Sequence, residues 1–472
     1  MKIILPEFLR WQPGAEQWAV PVSAWDTGPT RYLRLRRVWL DGRPVAGRNI
    51  IFPGVMPVYS LSAGARASDP AAFLATLGRE DKRYACSWLI LKAAGLPVLH
   101  AAGGEHYLEL EFITFTGMTC RAATPILLAP LPAHPHWQPA ELQMHNSSHD
   151  DGHWSPAAVV KELVGRGYRA LYFTPHADLI AGFWEEFTHL CRDLSSTGAI
   201  AVFPGLELAT RNSAGHLLLY GLKALEGWPN ARDPGQEIID RVNRLPGFAA
   251  SVTVSHPFGR PPWPWEADPV VDYSGLEVFS GLQWHFDQES RPLQLWRREV
   301  ARLSARVALT GFLPSARAGS DWHQVLPYQG YVTYVYLPGN WEGLPWQEKK
   351  YFLDLALRRG NTVASRRGGL AYFLINGQPP GTLITLPPGA ILEIKVYWQG
   401  VVEGNYQFLL FQGGRNMEKT IWQAETRGTG GGPRPAWTVE LAAPGEISYY
   451  WLYVSGPDQV LTSPVFFRPA GR

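Results

Sequence analysis

The chain has 472 residues, 46% hydrophobic and 18% charged, enough for about two to four folded domains with sizeable cores. A net charge of +2 is too near neutral to point to nucleic acid or to an anionic membrane. No apolar run approaches the roughly 20 residues that span a bilayer, so no membrane partner is expected.

The N-terminal run Lys2-Ile3-Ile4-Leu5 ends at once in Pro6 and Glu7, and no secretory signal is readable. Cys86, Cys120 and Cys191 are scattered and form neither a disulfide framework nor a CxxC site. Reduced thiols and a cytoplasmic location are the expectation. The 20 tryptophans are best read as fillers of cores and interfaces.

Residues 1–137 read as a β-rich domain that ends in a linker. Tyr32 to Leu40 alternates up to an Asp41-Gly42 turn, and Tyr107 to Phe112 alternates again. The basic run Arg31, Arg34, Arg36 and Arg37 is broken by Leu33 and Leu35, as on the wet face of a strand. Asp69 to Leu74 suggests a short capped helix. His134 and His136 flank Pro135 in the linker and carry no assigned chemistry.

The period changes from about residue 138 to residue 365. Three histidines and two aspartates fall between His145 and His153, a density that suits a divalent cation. Ser155-Pro156 caps a helix that carries Val159, Val160, Leu163 and Val164 on one face. Strands are expected at Ala170–Phe173, Ala199–Phe203, His216–Tyr220, Ser251–Val254, Leu276–Phe279 and Arg306–Leu309. Helices are expected after Asp178, after Pro234, and over about 290–305 and 346–358. This alternation predicts a parallel β/α architecture. His176, Glu207, His256 and the segment Asp321-Trp322-His323 all fall at or just past strand C-termini, where side chains from separate strands of such a fold converge.

Residues 366–472 alternate again, with turns at short intervals, and read as a β-sandwich. The stretch Gly428 to Gly432 lacks the Gly-Lys-Ser/Thr of a phosphate loop and reads as a hairpin tip.

In order and spacing, these polar segments resemble the PHP (polymerase and histidinol phosphatase) superfamily. Within it they are most similar to the carbaryl-hydrolase-like CehA/McbA family. The resemblance is carried by Glu141-Leu142-Gln143-Met144-His145 and Asp150-Asp151-Gly152, which stand where that family has Asp-Leu-His-x-His and Ser-Asp-Gly. It continues through Thr174-Pro175-His176, Gly205-Leu206-Glu207, Gly215-His216, His256-Pro257 and Ser320-Asp321-Trp322-His323. Ala356 to Thr362 and Thr462 to Phe466 resemble segments that flank the branch's C-terminal β domain. Residues 1–137 lie outside the resemblance.

The resemblance implies an α/β fold, a distorted, TIM-like, PHP-type β/α barrel, which the alternation read above flanks with N-terminal and C-terminal β-rich domains. It implies a di- or trinuclear site of Zn, Mn or Fe ligated by His145, Asp150 or Asp151, His176, Glu207, His256, Asp321 and His323, with His149 within reach. His256, His323 and Asp321 become the catalytic candidates. His216 is a candidate ligand or substrate contact, and Arg260, in a loop after a strand, is a candidate substrate contact or a surface residue. The implied activity is hydrolysis of a small phosphoester or carbamate/amide-type substrate; the alternative is a degenerate scaffold that binds metal or ligand without turnover. The β domains leave room for a homo-oligomer or a protein partner.

Two departures bear on this. Gln143 stands in place of the first histidine, which weakens that position and allows one ion fewer. Pro175 stands in place of an aspartate and offers no side-chain acceptor.

Overall fold

The computed structural model describes residues 32–52, 105–114, 117–127, 131–148, 150–152, 154–196, 198–210, 215–223, 233–245, 250–257, 270–280, 290–310, 314–321, 331–414, 418–428 and 435–470, with strand segments at 2–4, 9–10, 17–26, 56–57, 59–60 and 83–92. They fall into two compact units. The first is Met1–Pro130 with Asp151–His153 and Trp322–Gln329; the second is Leu131–Asp150, Trp154–Asp321 and Gly330–Arg472. The expected helix at Asp69 to Leu74 lies outside the described residues.

The first unit holds two mainly antiparallel sheets. Tyr32–Leu40 pairs with Glu105–Thr114, which pairs with Thr119–Leu127. Alternation sets the faces: Val38, Leu40, Leu108, Leu110 and Phe112 are buried, while Arg34, Arg36 and Arg37 are exposed. The Asp41-Gly42 turn has both residues at positive φ, as a tight hairpin of matching twist requires.

In the second unit, two strand–helix–strand crossings make a parallel core. Trp137–Met144, Ala170–Phe173 and Ala201–Pro204 lie side by side, connected by the helices Pro156–Arg166 and Trp184–Ser196. Ser155 caps the first helix by accepting from the Ala158 amide, and Gly167 ends it at φ 91°. Asp178 does not cap its helix: it lies inside Ala177–Ile180, with His176 at the cap. A five-stranded sheet runs Leu206–Ala209, His216–Tyr220, Ser251–Val254, Gly275–Ser280 and Ser315–Gly319.

The β/α barrel expectation is overturned. The chain is mostly sheet, 45% strand against 23% helix, with six helices, several sheets and no closed barrel among the described residues; a TIM-like barrel needs about eight helices. Strand direction explains the difference. The link from Ala209 to His216 is too short for a helical crossover, so those strands pair antiparallel, and His216–Tyr220 pairs antiparallel with Ser251–Val254 as well. Val332–Tyr336 likewise runs antiparallel to Trp137–Met144 and to Thr362–Ser365. Through Thr362–Ser365 this sheet continues into the C-terminal strands Val460–Thr462, Ser448–Ser455, Asn405–Gly413 and Glu418–Arg427. It extends where a barrel would close.

A second correction concerns Arg306–Leu309. The helix Ser290–Thr310 runs through it, because buried Val300, Leu303 and Val307 keep one helical face turned inward. The strand that follows is Ser315–Gly319, which carries a fully buried arginine, Arg317.

Between the sheets and the helix Trp346–Arg359 lies a core of Leu142, Tyr172, Phe203, Leu218, Tyr220, Val335, Trp341, Leu353 and Leu357. Trp137, Trp296, Trp341 and Trp451 are among the largest fully buried side chains, consistent with tryptophan as core filler. No helix of the described residues is long and apolar enough to cross a membrane.

His134 supplies a pH-dependent tie in this unit. Its Nδ1 accepts from the amides of His136 and Trp137, both at 3.1 Å, and its Nε2 lies 3.0 Å from the Tyr372 hydroxyl. Burial, with His136 beside it, brings its pKa from 6.5 to about 4. Protonation at Nδ1 would break both amide bonds. The folded value lies below the unfolded one, so this group costs nothing above pH 6.5 and stability is lost as pH falls from 6.5 toward 4. His134→Asn keeps an acceptor and should flatten the fall in urea midpoint across that window. Equal slopes for variant and wild type would count against this tie.

Candidate metal centre

The site is built from strand ends in the second unit. Trp137–Met144 is buried along its whole length, and alternation turns Leu142 and Met144 to one side and Glu141, Gln143 and His145 to the other. Glu141 Oε1 accepts from the amides of Gln143 at 3.0 Å and Ser320 at 3.1 Å, tying the first strand end to the segment that carries Asp321. The Asp321 amide donates to Gln143 O at 3.1 Å, and the Ser320 hydroxyl donates to the same carbonyl at 3.2 Å. Beyond Ala170–Phe173, Pro175 O accepts from the Glu207 amide at 3.0 Å, and His176 bridges to Glu207. Pro175 has no carboxylate to offer, yet its carbonyl anchors the strand that carries Glu207.

Glu207 is the hub. Its Oε1 lies 2.6 Å from His216 Nδ1, 3.2 Å from His256 Nε2 and 3.1 Å from Gln143 Nε2. Its Oε2 lies 3.0 Å from His145 Nε2 and 3.8 Å from His176 Nδ1. His145 Nε2 is also 3.2 Å from Asp321 Oδ1, and its Nδ1 is 2.8 Å from Asp150 Oδ2. Asp150 Oδ1 accepts from the His176 amide at 3.3 Å. His256 Nε2 and His216 Nδ1 face each other at 3.1 Å. The side chains of His145, Asp150, Glu207, His256 and Asp321 are essentially sealed from solvent, while His176 and His216 form the more open edge.

Two of these residues hold unusual backbones. His256 has φ 25° and Asp321 φ 50°, in the left-handed region that side chains resist. The amide of His256 donates to Glu277 Oε2 at 2.8 Å, which fixes its turn. Gly319 precedes this segment because a Cβ there would lie 2.9 Å from Gln143 Cβ and closer still to Glu277 Oε1.

The electrostatics suit a cation. Burial acts to lower the His145 pKa, but Asp150, Asp321 and Glu207 outweigh it and lift the imidazole well above its ordinary value. His216 behaves alike: burial lowers it, Glu207 and Asp321 raise it further, and the net shift is upward. Burial would raise Glu207, yet His216, His176 and His145 bring it well below the usual carboxylate range.

The residues present fit a divalent metal. Nitrogen and oxygen donors of His145, Glu207 and Asp321, of Glu207, His216 and His256, and of His145, Asp150 and His176 lie within 4.8 Å of one another in each set. Glu207 Oε2 is buried, with His145 Nε2 at 3.0 Å and His176 Nδ1 at 3.8 Å. Such a set of imidazole and carboxylate suits Zn, Mn or Fe.

Of the predicted site residues, the second unit thus gathers Gln143, His145, Asp150, His176, Glu207, His216, His256 and Asp321. Asp151 belongs to the Asp151–His153 segment of the other unit. His323 and Arg260 lie outside the described residues, as does His149. Glu141, Ser255 and Glu277 were not foreseen. Glu277, a lone carboxylate in the apolar strand Gly275–Ser280, was the available signal.

No protein-family model and no curated protein matches this chain. Among solved structures, the periplasmic chaperone SfaE matches 28% of this chain and 61% of its own at 10% identity and TM-score 0.17. The Bacteroides uniformis beta-glucuronidase 3 apo structure matches 100% of this chain and 63% of its own at 8% identity and TM-score 0.17. The chain thus spans less than two thirds of the length of each, and likeness at this level carries no argument about fold or function.

Proposed function

We propose that the second unit is a metal-dependent hydrolase of the PHP type, acting on a small phosphoester or carbamate/amide-type substrate. The observation behind this reading is the convergence of buried carboxylates and imidazoles on Glu207, whose two oxygens face different imidazoles. His145, His176, His216 and His256, with Asp150, Glu207 and Asp321, would hold the ions. A divalent ion bound there would supply an acidified water and polarise the phosphoryl or carbonyl oxygen of the substrate, so that the attached phosphorus or carbon is attacked.

The chain's own groups do the rest. Asp150 holds the His145 ring by its Nδ1. Glu277 fixes the backbone of His256. His256, where no ion engages it, would be the group that gives a proton to a leaving group. Substrate enters by the more open edge at His176 and His216. A cytoplasmic setting belongs to the proposal, on the spacing of Cys86, Cys120 and Cys191, which is not that of a disulfide framework.

A second reading has its own observation. Gln143 Nε2 donates to both Glu207 and Asp321, filling with hydrogen bonds a place where a cation would sit. That favours a scaffold that binds metal or ligand without turnover. Assays on phosphodiester, phosphomonoester and carbamate esters separate the two. The hydrolase reading expects turnover of at least one class and a fall of roughly 10²–10⁴-fold in His256→Ala. Rates unchanged in both His256→Ala and Asp321→Ala would rule out this site as their source.

A further inference from the structure

We infer that Gln143 is a reversible carboxamide switch: it clamps Glu207 and Asp321 together without metal, and turns its oxygen to a hard divalent cation when one binds. This rests on the metal-binding reading above. The carboxamide is bracketed on both sides. Toward the site, Nε2 lies 2.9 Å from Asp321 Oδ1 and 3.1 Å from Glu207 Oε1. Away from it, Oε1 accepts from Ser255 Oγ at 2.9 Å. Two carboxylates demand donors, so the NH₂ faces them when no cation is there. A cation between them reverses the demand, since an amide nitrogen has nothing to give it and an amide oxygen is a good ligand for Mn²⁺ or Mg²⁺.

The exchange needs only a half turn about the terminal torsion, a broad two-fold rotor. The backbone stays fixed, with the Gln143 amide on Glu141 and its carbonyl accepting from Asp321 and Ser320. Ser255 makes the turn possible on the far side. Its Oγ lies 3.0 Å from Glu277 Oε2 as well as 2.9 Å from Gln143 Oε1. In one state the hydroxyl donates to the Gln143 oxygen. In the other it donates to Glu277 and accepts from the Gln143 NH₂. A hydroxyl can play either part, so no buried polar group loses its partner. Histidine at this position would offer a softer nitrogen ligand. Gln143 therefore moves the site's preference from Zn²⁺ toward Mn²⁺.

The test is calorimetric titration of the metal-free full chain with MnCl₂ and with ZnCl₂, each variant checked for native near-UV circular dichroism. Gln143→Leu removes the oxygen that the turned amide would offer and is expected to weaken Mn²⁺ binding about tenfold or more, and Gln143→His should raise Zn²⁺ affinity relative to Mn²⁺. Wild-type Mn²⁺ affinity in Gln143→Leu would overturn the switch while leaving the metal site standing. Where Gln143→Leu does not fold, Gln143→His decides the matter: an unchanged ratio of Mn²⁺ to Zn²⁺ affinity in it would overturn the switch. No binding of either ion to the wild type would sink the switch and the metal reading together.

Discussion

Glu207→Gln should empty the site. The substitution keeps the shape of the side chain but replaces one carboxylate oxygen by an NH₂ and removes the charge around which His145, His176, His216 and His256 are arranged. Replacing partners that only orient a ligand costs about 10–100-fold in metal affinity, so loss of the hub is expected to exceed ~100-fold. Hydrolysis should fall with it. The metal-free form should suffer too. His145 and His216 are raised above the ordinary imidazole value, so their contribution to stability is present below that value and is lost as pH rises through the folded one. Glu207 is depressed, so its contribution is present above the ordinary carboxylate value and lost as pH falls through the folded one. The metal-free wild type is therefore most stable between those limits, and added metal should raise the unfolding temperature more as pH rises, since the ion displaces the imidazole protons. Thermal unfolding of wild type and variant, with and without Mn²⁺ across pH 5–9, checks this. A metal-induced gain that shrinks with rising pH, or one that survives in Glu207→Gln, would go against it.

Gly275→Ala should be strongly destabilising. A Cβ there would lie 2.7 Å from Arg317 Cδ and closer still to Nε and Cζ. Arg317 cannot swing aside. It is fully buried, donates to Ser315 Oγ at 2.9 Å and to Leu357 O at 2.6 Å, bonds Thr253, and lies over the Tyr220 ring. Burial has already brought its pKa down to about 10. Overpacking alone costs about 1–3 kcal/mol. Displacing the guanidinium from its partners adds a share of the ~3–5 kcal/mol seen when a buried charge loses its compensation. A loss of roughly 3 kcal/mol or more in urea unfolding is expected. A loss under about 1 kcal/mol would mean that this part of the sheet can open to admit the methyl.

The strands and helices of the second unit were largely legible, and the reasons are local. Ala170–Phe173, His216–Tyr220 and Ser251–Val254 are short apolar runs bounded by turn residues, and Ser155-Pro156 marks a helix start with its own chemistry. His176 and His256 could be named because each follows such a run. The sheet arrangement was not legible. Whether a strand continues a parallel series or reverses depends on connection length and partners, and Leu206–Ala209 against His216–Tyr220 reverses where a barrel would not. Arg306–Leu309 reads equally as strand or helix; packing of Val300, Leu303 and Val307 decided it. Ser315–Gly319 escaped notice because its burial includes an arginine. Ser255 and Glu277 look like ordinary strand residues until the fold brings both beside Gln143 and His256.

The central claim is that the donors around Glu207 hold metal. Elemental analysis of the full chain, purified without chelator and reconstituted with Mn²⁺ or Zn²⁺, addresses it most directly. About one or more ions per wild-type chain, lost in Glu207→Gln, is the result expected of such a donor set. Well under one ion per wild-type chain after reconstitution with either metal would contradict it.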